Sequence, residues 1–133
     1  YKRQGKTGFP LIDAAMRNLK SSGWLHPALR SLTAEFLCGV LYQPSEYGIA
    51  WFAAQQTDFD PALNEGNWQT AARNARRRSI DIIQTARRLD PDGTFVRRHI
   101  PELAHLPASL VHTPWLASSE IDAHGYPPPV VAP

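Results

Sequence analysis

One cysteine in 133 residues leaves no disulfide framework to hold this chain together. It has no run approaching the 18 or so apolar residues that a bilayer-spanning helix needs. Its opening stretch, Tyr1-Lys2-Arg3-Gln4-Gly5-Lys6, lacks the apolar centre of a secretory signal. The cytosol is therefore the expected compartment. The five histidines, His26, His99, His105, His112 and His124, lack the close pairing of metal ligands, so no metal is expected. Stretches of alternating apolar and polar residues are also missing, and nothing repeats internally, which argues against a sheet or a solenoid.

What is present is an ordinary globular balance, 43% hydrophobic and 20% charged, enough for one modest domain that buries roughly two-thirds of its unfolded surface. The net charge of +2 is small, yet the arginines are local: Arg73, Arg76, Arg77 and Arg78 form one cluster, with pairs at Arg87-Arg88 and Arg97-Arg98. Such clusters are either a footprint for an anionic ligand or solvated faces paired with acids such as Asp81 and Asp90.

The helical reading is direct. Pro10 suits a first helical position, and Leu11, Ile12, Ala15, Met16 and Leu19 follow at helical spacing until Ser21-Ser22-Gly23. Pro27 opens a second helix whose stripe, Leu29, Leu32, Phe36, Leu37, Val40 and Leu41, is wide enough to make it the expected centre. Cys38 within it reads as a buried small hydrophobe. Pro44-Ser45-Glu46 starts a third helix running toward Gln56. Asp60-Pro61 is a cap signature ahead of Asn64-Glu65-Gly66-Asn67-Trp68. A helix is expected from Gln69 to Leu89, a turn at Asp90-Pro91-Asp92-Gly93, and a short helix from Thr94 to His99 that ends before Pro101. From Pro107 onward the prolines favour extended backbone, with little packing power after Tyr126.

Certain of these segments carry a family likeness. Gly5-Lys6-Thr7-Gly8-Phe9-Pro10-Leu11-Ile12-Asp13-Ala14-Ala15-Met16-Arg17, then Gly23-Trp24-Leu25-His26, then Thr57-Asp58-Phe59-Asp60 and Asn64 to Gln69, and finally Ile100-Pro101-Glu102-Leu103, Leu106-Pro107 and His112-Thr113-Pro114-Trp115 occur in the order of the photolyase/cryptochrome family. The chain resembles the C-terminal, flavin-holding half of that family's all-helical FAD domain. The resemblance implies an all-α fold over 1–133, helical over about 9–100 and loop-rich over about 101–133. It also implies FAD as the cofactor and either photolyase-type DNA repair, a lyase activity, or blue-light sensing. The α/β antenna domain and the segment whose hydroxyls hold the FAD phosphates are not in this sequence. The chain is therefore expected to form one wall of the cavity, completed by a homo-oligomeric partner or a second chain.

The resemblance also assigns roles. Arg30 and Asp58 would pair beside the isoalloxazine ring, the guanidinium stabilising charge that gathers there on reduction and the carboxylate orienting it. Asp60 would contact the cofactor's sugar and ring edge while capping a helix. Asn64 would face flavin N5, where an amide cannot deliver a proton at neutral pH; this suits the fully reduced anion. Trp68 would be the tryptophan that reduces the photoexcited ring. Asn64 and Trp68 are thus the candidate catalytic residues. The usual relay beyond Trp68 is altered, with Ser45 at the position of the second tryptophan and Tyr47 or Trp51 as substitutes. On the lesion side, Pro27, Ala28, Ser31 and Thr70 replace the family's polar, methionine and aromatic contacts. Arg73, Arg76, Arg77 and Arg78 are therefore expected to give weak, sequence-independent DNA binding rather than lesion recognition. The rival reading is a non-enzymatic helical interaction module of the same ancestry that does not hold FAD by itself.

Overall fold

The computed structural model describes residues 7–41, 44–57, 66, 68–70, 72–73, 81–116, 126–127 and 129. Regular structure among the described residues is entirely helical, as the sequence predicts. None of their helices is long and apolar enough to cross a membrane. The chain divides into two compact units, Tyr1–Arg17 with Asp81–Pro133, and Asn18–Ile80.

Helix α1 (Pro10–Ser22) begins in the first unit and ends in the second. Gly23 stops it with φ at 73°, its N–H on the Leu19 carbonyl at 2.8 Å, a left-handed cap that a residue without Cβ adopts cheaply. Every residue from Pro10 to Met16 is buried, Asp13 included. The first two turns of α1 are therefore closed in on all sides, whereas Lys20, Ser21 and Ser22 at its end are exposed. Asp13 is the acid within this buried stretch, and the structure satisfies it internally. Its carboxylate accepts the Thr7 N–H and hydroxyl, both at 2.7 Å, the Gly8 N–H at 3.0 Å, and the Tyr126 hydroxyl. Tyr126 is buried, so the proline-rich segment packs at this residue through a bond the sequence did not reveal.

The rest of the first unit holds α4 (Ile82–Leu89) and α5 (Thr94–His99), followed by 3₁₀ turns at Pro101–Leu103 and Pro114–Leu116. The expected helix from Gln69 to Leu89 is not continuous. Asp81 has extended backbone and its carboxylate caps the Gln84 N–H at 2.9 Å, so a new helix starts there. Asp90 likewise receives the Phe95 and Val96 N–H groups at 3.2 and 3.1 Å, and its carbonyl accepts His112 Nε2 at 2.6 Å. Both acids thus serve helix starts, whereas Arg87 and Arg88 are exposed in the last turn of α4, where cations suit the helix dipole. Arg17 pairs with Glu102, its Nη1 3.1 Å from Oε2.

In the second unit, α2 (Pro27–Glu35) passes into a π-helical turn, Phe36–Val40, closed by the Leu41 N–H on the Phe36 carbonyl at 3.1 Å. The wider turn rotates the apolar stripe off register. Leu29, Leu32, Phe36 and Leu37 are buried, but Cys38, Val40 and Leu41 are only half-buried, which corrects the expected continuous stripe and buried thiol. Helix α3 (Ser45–Gln55) follows, its N-cap at Pro44 having no side-chain cap.

Burial holds the Asp13 carboxyl above its ordinary 3.8, against the hydrogen bonds from Thr7, Tyr126 and Gly8 that pull it down. The native state keeps this proton where the unfolded chain has released it. Stability therefore falls as pH rises from 3.8 to the raised native value, and is flat above it. Asp13→Asn should abolish that slope. Its amide NH₂, set among donors, should also lower stability by about 1–3 kcal/mol. Urea unfolding of both proteins across the acidic range checks this, and an unchanged slope in the variant would assign it to another group.

Candidate functional site

All residues that the resemblance assigns to cofactor or nucleic acid fall within Asn18–Ile80. Asp58, Asp60, Asn64, Arg76, Arg77 and Arg78 lie outside the described residues. Arg30, Trp68 and Arg73 lie within them.

Arg30 sits in the second turn of α2 and is half-buried. Its Nε donates to the Leu25 carbonyl at 2.5 Å, and its guanidinium carbon lies 5.9 Å from the centre of the Trp24 ring. These contacts hold the guanidinium plane, because one donor is anchored and one face is stacked. Trp24 is 47% exposed although its backbone is fastened on both sides. Its N–H donates to Ser22 Oγ at 3.2 Å, and its carbonyl accepts Ser22 Oγ at 3.0 Å and Asn18 Nδ2 at 3.2 Å. His26 meets the Trp24 ring edge-on at 6.4 Å and accepts the Ala28 N–H at Nδ1, at 3.1 Å. In neutral His26 the proton is therefore on Nε2.

The preceding residue of this corner, Gly23, closes it onto the end of α3. Its carbonyl accepts both the N–H of Thr57, at 2.8 Å, and the Thr57 hydroxyl, at 3.2 Å. Gly23, Trp24 and Leu25 thus offer three successive carbonyls, one to Thr57, one to the end of α1 and one to Arg30. Thr57 is the residue before Asp58, so the backbone leading to the expected carboxylate and the guanidinium it would pair with are tied to the same three residues.

Trp68 is 2% exposed and lies on a short helical stretch. Its ring meets Phe52 edge-on, centroids 5.0 Å apart at 86°. One turn earlier on α3, a Cβ on Gly48 would come within 2.0–2.5 Å of Trp68 Cη2, Cζ3 and Cζ2. Glycine inside a helix is less stable than alanine by about 0.5–1 kcal/mol, so its presence here answers to the ring packed on it. Phe52 in turn touches Trp51, centroids 6.0 Å apart, and Trp51 is half-buried, whereas Tyr47 is 57% exposed. Of the two substitutes expected for the altered relay, Trp51 is the one joined to Trp68 through a ring contact among the described residues.

The remaining positions are plain. Arg73 is exposed on a helical residue, and Pro27, Ser31 and Thr70 are exposed as well. Trp24 was not among the residues the sequence singled out for chemistry, although an exposed, rigidly held indole is what a planar ring stacks on. Its only signal was its place in Gly23-Trp24-Leu25-His26.

Comparison with known proteins bears on the same region. A sequence model described as the FAD binding domain of DNA photolyase matches residues 2–133. The chain is 43% identical to Cryptochrome-1 of Anopheles gambiae over 97% of its own length and 26% of that protein. It is 38% identical to the deoxyribodipyrimidine photo-lyase of Escherichia coli K12 over 97% of its length and 29% of that protein. The archaeal photolyase from Sulfolobus tokodaii, solved with two FAD molecules, superposes with a TM-score of 0.89 at 34% identity, covering 98% of this chain and 30% of that one. The chain thus spans under a third of the length of the proteins it matches.

The corner depends on Gly23. A side chain there would adopt φ near 73° and meet Thr57 Cγ2 at 2.5 Å. Gly23→Ala should lower stability by at least about 1–2 kcal/mol, the cost of a left-handed non-glycine residue, with the clash adding to it. Chemical denaturation checks this. A midpoint equal to that of the unsubstituted protein would show that the clasp is not under strain.

Proposed function

Because this chain belongs to the photolyase/cryptochrome family, within its FAD-binding domain, we propose that it forms the ring-facing wall of a flavin site for light-driven electron transfer. The observation that carries this reading is the shared corner. Arg30 and the backbone before Asp58 hang on the carbonyls of Leu25 and Gly23, which suits a guanidinium–carboxylate pair beside a ring that becomes anionic on reduction. Bound FAD would supply blue-light absorption and a one-electron acceptor. The residues here bind and orient: Arg30 and Asp58 at the pyrimidine edge, Asp60 at the sugar, Asn64 at N5, and Trp68 as the oxidisable side chain, buried where water cannot compete for it. Trp51 continues the path from Trp68 by way of Phe52.

In this reading protein beyond these 133 residues completes the cavity, as a second copy or another chain, and the site works in the cytosol. Arg73 and the neighbouring arginines attach to nucleic-acid phosphates. Trp24 is the aromatic surface that Thr70 does not provide, but the polar contacts replaced by Pro27 and Ala28 leave little preference for damaged bases.

Three measurements test the reading. Once assembled with the copy or chain that completes the cavity, the purified protein should carry the blue absorption band of oxidised flavin, and Trp68→Phe should slow its photoreduction while leaving FAD binding largely intact; phenylalanine fills much of the space but is far harder to oxidise. A colourless protein to which added FAD does not bind would favour the non-enzymatic interaction module, and equal photoreduction rates would remove Trp68 from the path. Duplex DNA should bind weakly, with a steep loss of affinity in salt. Each arginine of the cluster replaced by alanine should reduce the log–log salt slope by roughly 0.9. Titration of damaged and undamaged duplexes at two salt concentrations reads both terms, and a salt-insensitive preference for the damaged duplex would restore repair as the leading function.

A further inference from the structure

We propose that Gly48 is a positioning residue for Trp68: the missing side chain is the seat that lets the indole lie against the backbone of α3, and it thereby sets where the ring stands. The argument is steric. Three atoms of the six-membered part of the indole, Cη2, Cζ3 and Cζ2, lie 2.0–2.5 Å from where a Cβ would be. Real Cβ contacts are not that short, and what would collide is the rigid body of a buried ring, not the end of a flexible chain. Residues 48 and 52 share one face of a helix, one turn apart. Gly48 therefore forms the floor and Phe52 the wall of one seat, with the two rings near perpendicular at 86°. Any side chain at 48 pushes the indole away from α3 and out of that edge-to-face contact.

The steric part stands on the packing alone. Its consequence rests on the reading of Trp68 as the electron donor. Electron transfer falls steeply with separation, so a displaced indole is a slower donor even when it remains an intact tryptophan. No other change in the ring's chemistry is involved; the one electron still leaves the indole for the excited acceptor.

The test is a cycle of Gly48→Ala and Trp68→Phe, singly and together, on the full chain, read by thermal unfolding and by photoreduction at matched FAD occupancy. With Trp68 in place, Gly48→Ala should lower the unfolding temperature. With phenylalanine at 68 the shorter ring vacates the seat, and the same substitution should be neutral or raise the temperature, since alanine is the better helix former. If the Gly48→Ala protein does not accumulate folded but the double variant does, that is the same coupling. Equal destabilisation in both backgrounds, or loss of fold in both, overturns the seat. In photoreduction, Gly48→Ala should be several-fold slower than the unsubstituted protein. If Trp68→Phe slows the reaction and Gly48→Ala does not, the positioning role is overturned. If Trp68→Phe has no effect, the donor reading falls, and the unfolding cycle still decides the seat.

Discussion

Three adjacent carbonyls, those of Gly23, Trp24 and Leu25, are the constraint on which the candidate site depends. A chain reversal between two helices exposes backbone acceptors that must find donors. Here they are filled by groups that matter elsewhere: Thr57 at the end of α3, Ser22 and Asn18 at the end of α1, and the Arg30 side chain. Satisfying the turn therefore also fixes the guanidinium and delivers the backbone that continues into Asp58. The left-handed Gly23 makes the arrangement sterically possible, because its Cβ would stand where Thr57 packs.

The two chemical elements of the proposed site are held by different physics. Arg30 is placed by a directional bond and a stacked ring, and it keeps part of its surface accessible, as a charge that must answer to a ligand should. Trp68 is seated by shape: a floor without a side chain, a wall of Phe52, and almost complete burial. A directional bond orients the charged group, and close packing seats the oxidisable one.

Much of this was legible in the sequence. Pro10 and Gly23 bounded α1, Pro27 opened α2, and the 90–93 turn and the helix after it lie where the punctuation put them. The failures have physical causes. A π-turn at Phe36 follows from no residue-level signal and shifts Val40 and Leu41 out of the core. The reading of one long helix to Leu89 missed the Asp81 cap, because Asp81 was weighed as a charge partner for arginines, not as an acceptor for backbone N–H groups. The burial of Asp13 was not legible, since one of its partners, Tyr126, lies far away in sequence. Gly48 passed unread because a helical glycine acquires meaning only from the ring that packs on it.

That distance between Asp13 and Tyr126, 113 residues, has a bearing on how the protein is made. A ribosome adds roughly 5–20 residues per second. The carboxylate thus leaves the exit tunnel roughly 5–20 seconds before the phenol that completes its coordination exists. Over that interval α1 has a buried position to occupy but an incomplete set of donors for its one acid, and a half-satisfied carboxylate resists burial. Closing a contact across 113 residues also costs loop entropy that local contacts do not, which slows its formation. The donor set of this buried acid is thus completed only once a single distant tyrosine has been made.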